Sequence, residues 1–228
     1  MHWDYIAILA ILAVFVPWRS TARIQTILGS SALESRGRLT LYVSTILFQW
    51  AAVAIIFWRL VAHRSDLQQL GLTIPSVPRA ILATAVLSTL LVLNQVFSIR
   101  RLATLPHEKR GLIAQLADKL LPRCRREATV AVLLVVTVAI CEEFIYRGFI
   151  QTLFQQTFSS VAAGAAISAV FFAIAHLYQG RKGTLTTFFV GLLFSGVRIW
   201  TGSLWPSILI HFSVDFSAGL AAVRLFPS

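Results

Sequence analysis

Long apolar runs are the feature of this sequence that most restricts what it can fold into. Stretches of 18 or more mostly apolar residues recur along the 228-residue chain, in which 57% of residues are hydrophobic and only 13% are charged. A soluble domain has about 25% charged residues, and an apolar helix of about 20 residues crosses the bilayer core. The sequence therefore predicts an all-α, polytopic membrane helix bundle. We expect about seven spans, within a range of six to eight, near residues 3–18, 40–62, 79–98, 129–152, 160–178, 184–200 and 204–223.

No internal repeat or low-complexity segment divides the chain, so we interpret residues 1–228 as one membrane domain. N-terminal spans occupy 1–98, a basic loop follows at 99–128, and the helices rich in polar groups occupy 129–225. The first run lacks the basic flank and the cleavage site of a signal peptide, which indicates a retained span. The loop predicts a short amphipathic helix on the cytoplasmic leaflet between Pro106 and Pro122. Its apolar side is Leu112, Ile113, Leu116, Leu120 and Leu121, and its polar residues are Lys109, Arg110, Asp118 and Lys119.

The net charge of +11 raises the question of a nucleic-acid partner, but the placement of the basic residues argues against one. On the outer side of the predicted topology lie only Arg59, Arg64 and Arg79. The loops and tail of the opposite side carry Arg19, Arg23, Arg36, Arg38, Arg100, Arg101, Lys109, Arg110, Lys119, Arg123, Arg125, Arg126, Arg181, Lys182 and Arg224. Positive charge marks the cytoplasmic side, where it also meets anionic lipid. We therefore expect an N-terminus outside the membrane and no nucleic-acid partner.

Charged residues inside one predicted span point to a functional site. The segment CEEFIYRGF, 141–149, places two acids and a base within an apolar run, and each such charge costs about 2.5–3.5 kcal/mol at the bilayer centre. Glu143 and Arg147 are four residues apart, so they share a helix face and can neutralise each other. Glu142 points about 100° away and has no cation in its own helix. An unpaired acid of this kind suits a general base.

Two later spans add further polar groups at membrane depth. His176 follows Phe172 near the end of the fifth predicted span, and His211 lies four residues before Asp215 in the last. If the turn between spans four and five is centred near residue 156, Glu142 and His176 can meet. A polar helix–helix contact could explain one histidine. It does not account for two histidines, two glutamates, one aspartate and one arginine in three spans.

The residue types fit two kinds of site. In one, His176, His211 and Glu142 would bind a catalytic zinc ion with an open position for water. In the other, which needs no metal or cofactor, Glu142 and His176 activate a water while His211 and Asp215 stabilise an oxyanion. Neither HExxH nor GxSxG occurs in the sequence, so zincin-like and serine-type sites receive no support.

Three ordered motifs resemble those of the CPBP family, the CAAX-processing and bacteriocin-processing proteins. They are EExxxR at Glu142, Glu143 and Arg147, FxxxH at Phe172 and His176, and HxxxD at His211 and Asp215. The match covers 129–225, and the LGL of residues 70–72 is a weaker similarity. The resemblance implies an intramembrane endopeptidase of the glutamic type. Glu142 and His176 would activate the water, His211 and Asp215 would form the oxyanion side, and Glu143 and Arg147 would support the site.

Residue 215 departs from the prenyl-protease members of the family, which have Asn there. An ionised Asp cannot donate a hydrogen bond to an oxyanion. Asp215 is therefore either protonated or serves only to orient His211. A second difficulty is depth, because His211 lies only about five residues into its predicted span while His176 lies near the opposite end of its own. Either the GSLWPS loop dips into the membrane or the span limits differ.

The sequence leaves the substrate open. A compact, Arg-rich chain is typical of a bacterial inner-membrane protein, and bacteria generally lack prenylated CAAX proteins. We expect a membrane-anchored protein or peptide substrate, such as a leader peptide, an anchored protein tail or a C-terminal sorting signal. The alternative is a non-catalytic membrane protein on the same scaffold, such as an immunity or partner-stabilising factor. A proton-coupled transporter is disfavoured because no repeat or pair of broken helices is present.

Overall fold

The computed structural model describes residues 2–30, 33–106 and 110–225, apart from the side chains of Ile113 and Asp118. Within these ranges the regular structure is entirely helical, and 3₁₀ turns cover Leu67–Leu70 and Leu177–Gln179. The helices are α1 Trp3–Gly29, α2 Ser35–Ala62, α3 Val77–Ala103, α4 Gly111–Leu120, α5 Arg125–Thr157, α6 Val161–Ala175, α7 Gly180–Thr201 and α8 Trp205–Leu225.

The prediction of a polytopic helical membrane protein is confirmed. Six helices are long and apolar enough to cross a membrane in the described part of the chain, which lies within the expected range. The fifth predicted span, 160–178, is too long: α6 has 15 residues, or about 22 Å, and is shorter than a bilayer core. Helix α6 ends at Ala175 because His176 leaves the helical conformation. The ring nitrogen Nδ1 of His176 donates a hydrogen bond to the carbonyl oxygen of Phe172 at 2.7 Å.

The first span was placed too short, at 3–18. Helix α1 continues to Gly29 through Arg19 and Arg23, which the sequence had placed in a cytoplasmic loop. A π-helical turn over Ile11–Phe15 precedes Pro17, and such a turn accommodates a residue without a backbone donor. The helix tolerates the two arginines because both line an internal cavity rather than lipid.

One end of the bundle is held together by basic side chains. Lys119 donates from Nζ to the last carbonyls of α1, including Leu28 at 2.8 Å, where the helix dipole favours a cation. Arg38 forms a buried ion pair with Glu127, with Nε and Oε2 2.9 Å apart. These contacts bring the loop between α1 and α2, helix α4 and the start of α5 to the same side of the bundle.

A short helix lies between Pro106 and Pro122, as the sequence predicts, and it is bound to the protein. It covers Gly111–Leu120, and Ala114 is buried against the ends of α3 and α8, beside Ile99 and Ala218. Part of its apolar face is thus covered by protein rather than by lipid. The predicted roles of Lys109 and of the Ile113 and Asp118 side chains fall outside the described residues.

At the opposite end, the LGL segment covers the loop between α7 and α8. Leu204 donates its backbone N–H to the carbonyl of Gly71 at 2.7 Å, and the Trp205 indole donates to Leu72 at 2.9 Å. Gly71 adopts a φ of 77°, which suits glycine. Ser203 and Ser207 are fully buried. Most of the loop is therefore packed against the protein, with Gly202 and Trp205 exposed, which explains how His211 can lie deep although it follows the loop by few residues.

Candidate active site

Glu142, Phe172, His176, His211 and Asp215 line a single cavity of about 490 Å³, and Glu143 and Arg147 of the first motif are buried outside its lining. Helices α1, α2, α5, α6, α7 and α8 all contribute to its wall. The lining side chains include Arg19, Arg23, Thr45, Phe48, Gln49, Glu142, Tyr146, Phe172, His176, Tyr178, His211 and Asp215. The cavity thus gathers groups from both halves of the chain, and Glu142 and His176 share its wall as the sequence predicts.

A π-helical segment organises the first motif. Helix α5 changes to π geometry over Phe144–Ile150, directly after the two glutamates, and such segments occur frequently at functional sites. Within it, Arg147 Nη1 lies 3.0 Å from Glu143 Oε1, and both side chains are fully buried. The predicted ion pair therefore forms. The Arg147 guanidinium also lies over the Phe172 ring at 4.2 Å, which joins α5 to α6.

Glu143 has a second partner that the sequence did not reveal. Its Oε1 accepts a hydrogen bond from His211 Nδ1 at 3.0 Å, so one carboxylate oxygen binds the arginine of α5 and the histidine of α8. The two residues are 68 positions apart in the chain, and no spacing rule relates them. Glu143 thereby fixes His211, a role the sequence had given to Asp215 alone.

Glu142 differs from Glu143 in its surroundings. Its side chain is half-buried on the cavity wall, and Gln49 Nε2 donates to its Oε1 at 3.2 Å. The other oxygen, Oε2, has no hydrogen-bond partner among the described residues. This oxygen is itself buried, and a buried carboxylate oxygen without a protein partner is a position where a bound water or another donor is expected.

His176 is oriented by its own helix. Its Nδ1 lies 2.7 Å from the Phe172 carbonyl oxygen, and because a carbonyl only accepts, Nδ1 must carry the hydrogen. Nε2 of the neutral ring is then an acceptor. The ring packs edge-on against Phe172, with centroids 4.7 Å apart. His176 therefore reaches the cavity with one nitrogen fixed and the other available.

The third motif is looser than the first. His211 Nε2 lies 3.5 Å from Asp215 Oδ2, and 41% of the Asp215 side chain is accessible, against 9% for His211. A protonated Asp215 would need apolar surroundings, and this accessible position does not provide them. The distance fits a carboxylate that orients the histidine.

The alternative zinc site is not assembled in this structure. Among the residues described, no group of three or more His, Cys, Asp or Glu side chains lies close enough to hold a metal ion. His176, His211 and Glu142 line one cavity without forming a ligand set.

Sequence reasoning missed the contribution of the N-terminal half. Gln49 was overlooked although it is a lone polar residue in the apolar run LFQWAAVAIIF, and such residues often make contacts between membrane helices. Arg19 and Arg23 were assigned to a loop. Tyr178 lines the cavity beside His176, and nothing in its local sequence pointed to it.

The fold and the site define a polytopic membrane protein with a glutamate–histidine cavity inside its bundle. Residues 125–217 match the family model described as type II CAAX prenyl endopeptidase Rce1-like. The match spans α5 to most of α8, includes all seven residues of the three motifs, and confirms the resemblance to the CPBP family. It supports an endopeptidase activity in general. No curated protein and no solved structure matches the chain.

Proposed function

We propose that this protein is an intramembrane endopeptidase that uses Glu142 and His176 to activate a water. The observation that carries the proposal is the division of labour between neighbouring acids. Glu143 is fully buried, does not line the cavity, and binds Arg147 and His211 through Oε1, whereas Glu142 lines the cavity and has no ion pair among the described residues. One acid holds the site together and the other is available for chemistry.

The proposed reaction begins with a water between Glu142 Oε2 and His176 Nε2. Glu142 takes a proton from this water while the oxygen of the water attacks the scissile carbonyl carbon. His176 accepts a hydrogen bond from the same water and so orients the attack. The carbonyl oxygen becomes an oxyanion in the tetrahedral intermediate. When the C–N bond breaks, the proton held by Glu142 passes to the leaving amine. The products are one carboxyl and one amino terminus.

His211 is the proposed donor to the oxyanion. Its Nδ1 is hydrogen-bonded to Glu143, so Nε2 can donate only if the ring carries both protons. The buried carboxylate of Glu143, 3.0 Å from Nδ1, supports that form. Asp215, 3.5 Å from Nε2, orients the ring before the reaction, and the oxyanion then replaces Asp215 as the acceptor from Nε2. No metal takes part in this scheme.

The cavity has a defined position along the bundle. It is lined by residues 12–24 of α1, the middle of α2 at 45–52, the end of α6 and residues 186–194 of α7, and it extends from the middle of the bundle toward the side where α4 and Arg38 lie. The positive-inside rule makes this side cytoplasmic and the N-terminus external. We propose a bacterial inner membrane, with anionic lipid against the basic residues of this side.

The proposed substrate is a membrane-anchored protein or peptide cut near its membrane-associated terminus. The family name describes a CAAX prenyl endopeptidase, and a cavity at membrane depth suits a chain that is already held in the bilayer. A C-terminal sorting or anchor signal is one such substrate.

The test uses the full-length protein purified into lipid nanodiscs with a mixture of defined apolar peptides. Mass spectrometry should find new peptide termini with the wild type and none with Glu142→Gln. Arg101→Gln, at an exposed position outside the cavity, is the matched control and should cleave normally. Equal cleavage by wild type and Glu142→Gln would contradict the proposal.

A further inference from the structure

Three polar side chains of α5 are fully buried at four-residue spacing. They are Glu143, Arg147 and Gln151, and the spacing places them along one face of the helix. The first two form an ion pair. Gln151 is different, because neither its amide oxygen Oε1 nor its amide nitrogen Nε2 has a hydrogen-bond partner among the described residues. An amide buried in this way is costly unless something binds it.

Helix α7 carries a second buried group of this kind. Ser195 is fully buried, and its Oγ has no partner in the described part of the chain. Two contacts fix its level in the bundle. Before it, the Gly191 carbonyl accepts from Arg147 Nη2 at 3.4 Å, and after it, Arg198 Nη2 donates to Thr152 Oγ1 at 2.8 Å. Helices α5 and α7 therefore run side by side in the same direction, and the unpaired amide and hydroxyl both lie between these two contacts.

Helix α6 closes a third side of this region. A Cβ added at Gly164 would lie 2.5 Å from the backbone oxygen of Gln151, so the backbones of α5 and α6 are in direct contact at this level. Neither Gln151 nor Ser195 has exposed surface. Their hydrogen bonds must therefore be made in the interior of the protein, and not with bulk water or lipid headgroups.

The chemistry of the two groups limits what can bind between them. The amide offers two donors and one acceptor, and the hydroxyl can donate or accept. The nearest charges, on Arg147 and Glu143, already neutralise each other. A small neutral molecule that both donates and accepts fits these requirements. Buried waters typically make about three hydrogen bonds to polar groups that lack other partners, and a water commonly joins polar groups that are too far apart to bond directly.

We infer that a water molecule binds inside the bundle between α5, α6 and α7, where it joins the Gln151 amide to Ser195 Oγ. The site lies one helical turn from Arg147, toward the end of α5. It is distinct from the position of the proposed attacking water at Glu142 and His176, and it does not depend on the proposed function. By connecting α5 to α7, this water supports the segment that holds Arg147.

The direct test is an experimental structure of the full chain at a resolution that shows ordered waters. A density peak should lie at hydrogen-bond distance, about 2.7–3.2 Å, from both the Gln151 amide and Ser195 Oγ. The same peak should be lost or weakened in Ser195→Ala. A Gln151 amide bonded directly to Ser195 or to a backbone group, with no peak between the two side chains, would overturn the inference.

Thermal unfolding of purified variants supplies a second readout. Gln151→Met and Ser195→Ala should each lower the unfolding midpoint, and because both residues bind one water, the double variant should fall by less than the sum of the two. Ser207→Ala is the matched control. Ser207 is also fully buried, but its Oγ already donates to the Phe194 carbonyl at 3.2 Å, so its effect should add to that of Gln151→Met. Additive effects in both pairs, or equal deviation from additivity in both, would contradict a shared water.

Discussion

Glu143 and His211, which lie on α5 and α8, are joined by a 3.0 Å hydrogen bond between Oε1 and Nδ1 in the buried centre of the bundle. The same Glu143 oxygen lies 3.0 Å from Arg147 Nη1. A carboxylate with no exposed surface is stable there only because both partners are present. The histidine that faces the cavity is thus held by the same acid that neutralises the arginine.

Arg147→Ala should destabilise the protein rather than only inactivate it. The substitution leaves Glu143 buried without its cation, and breaking such a pair costs about 3–5 kcal/mol. Thermal unfolding of the purified protein and its amount in membranes are the measurements. Glu142→Gln serves as the comparison, because Glu142 is half-buried and carries no ion pair among the described residues. Equal amounts and equal unfolding midpoints of the two variants would contradict the assigned roles.

Asp215→Asn should retain most activity, whereas Asp215→Leu should lose about 10- to 100-fold in kcat. The amide oxygen of Asn can still accept from His211 Nε2, but Leu cannot. Substrate binding should change little, since Asp215 acts through His211. Steady-state kinetics of the three proteins separate kcat from KM. A loss in Asp215→Asn as large as that in Asp215→Leu would show that the negative charge itself is required.

Gly164→Ala should lower stability by about 1–3 kcal/mol, as overpacking does. A Cβ at Gly164 would lie 2.5 Å from the backbone oxygen of Gln151, and backbone cannot move aside as a flexible side chain can. The matched control is Gly219→Ala, also in a helix, where nothing lies within 4 Å of the added carbon. That variant should be neutral or slightly more stable. Thermal unfolding of both measures the difference, and equal effects would contradict the close α5–α6 packing.

Removal of metal should leave cleavage unchanged. Glu142 and His176 are the groups proposed to activate the water, and the described residues offer no group of three metal ligands. Treatment with a zinc chelator, followed by elemental analysis to verify that the protein is zinc-free, is compared with untreated protein in the peptide assay. If activity disappears with the zinc and returns when zinc is added, the metal-free mechanism is wrong.

Local sequence rules predicted the features that depend on short spacing. The apolar runs fixed the helical class, and the four-residue spacing of Glu143 and Arg147 predicted their ion pair. The span limits predicted from the sequence differ most from the helix limits in the structure where polar residues face protein. Arg19 and Arg23 resemble the start of a loop by composition, yet they lie in a helix because an internal cavity replaces lipid on that face.

Contacts between distant segments could not be predicted in this way. The bonds from His211 to Glu143 and from Gln49 to Glu142 each join residues more than 60 positions apart, and helix periodicity holds no information about which faces will meet. The same applies to the LGL segment, whose Gly71 carbonyl receives the backbone N–H of Leu204. These contacts set the depth and orientation of the site.

The most direct test of the central claim compares protein termini in membranes of cells that carry either the wild-type protein or Glu142→Gln at matched levels. The account predicts a set of new termini that is present with the wild type and absent with the variant, which would also identify the substrate. Identical termini in the two membranes, with both proteins well expressed and the natural substrate present, would contradict a proteolytic role for Glu142 and favour a non-catalytic membrane protein.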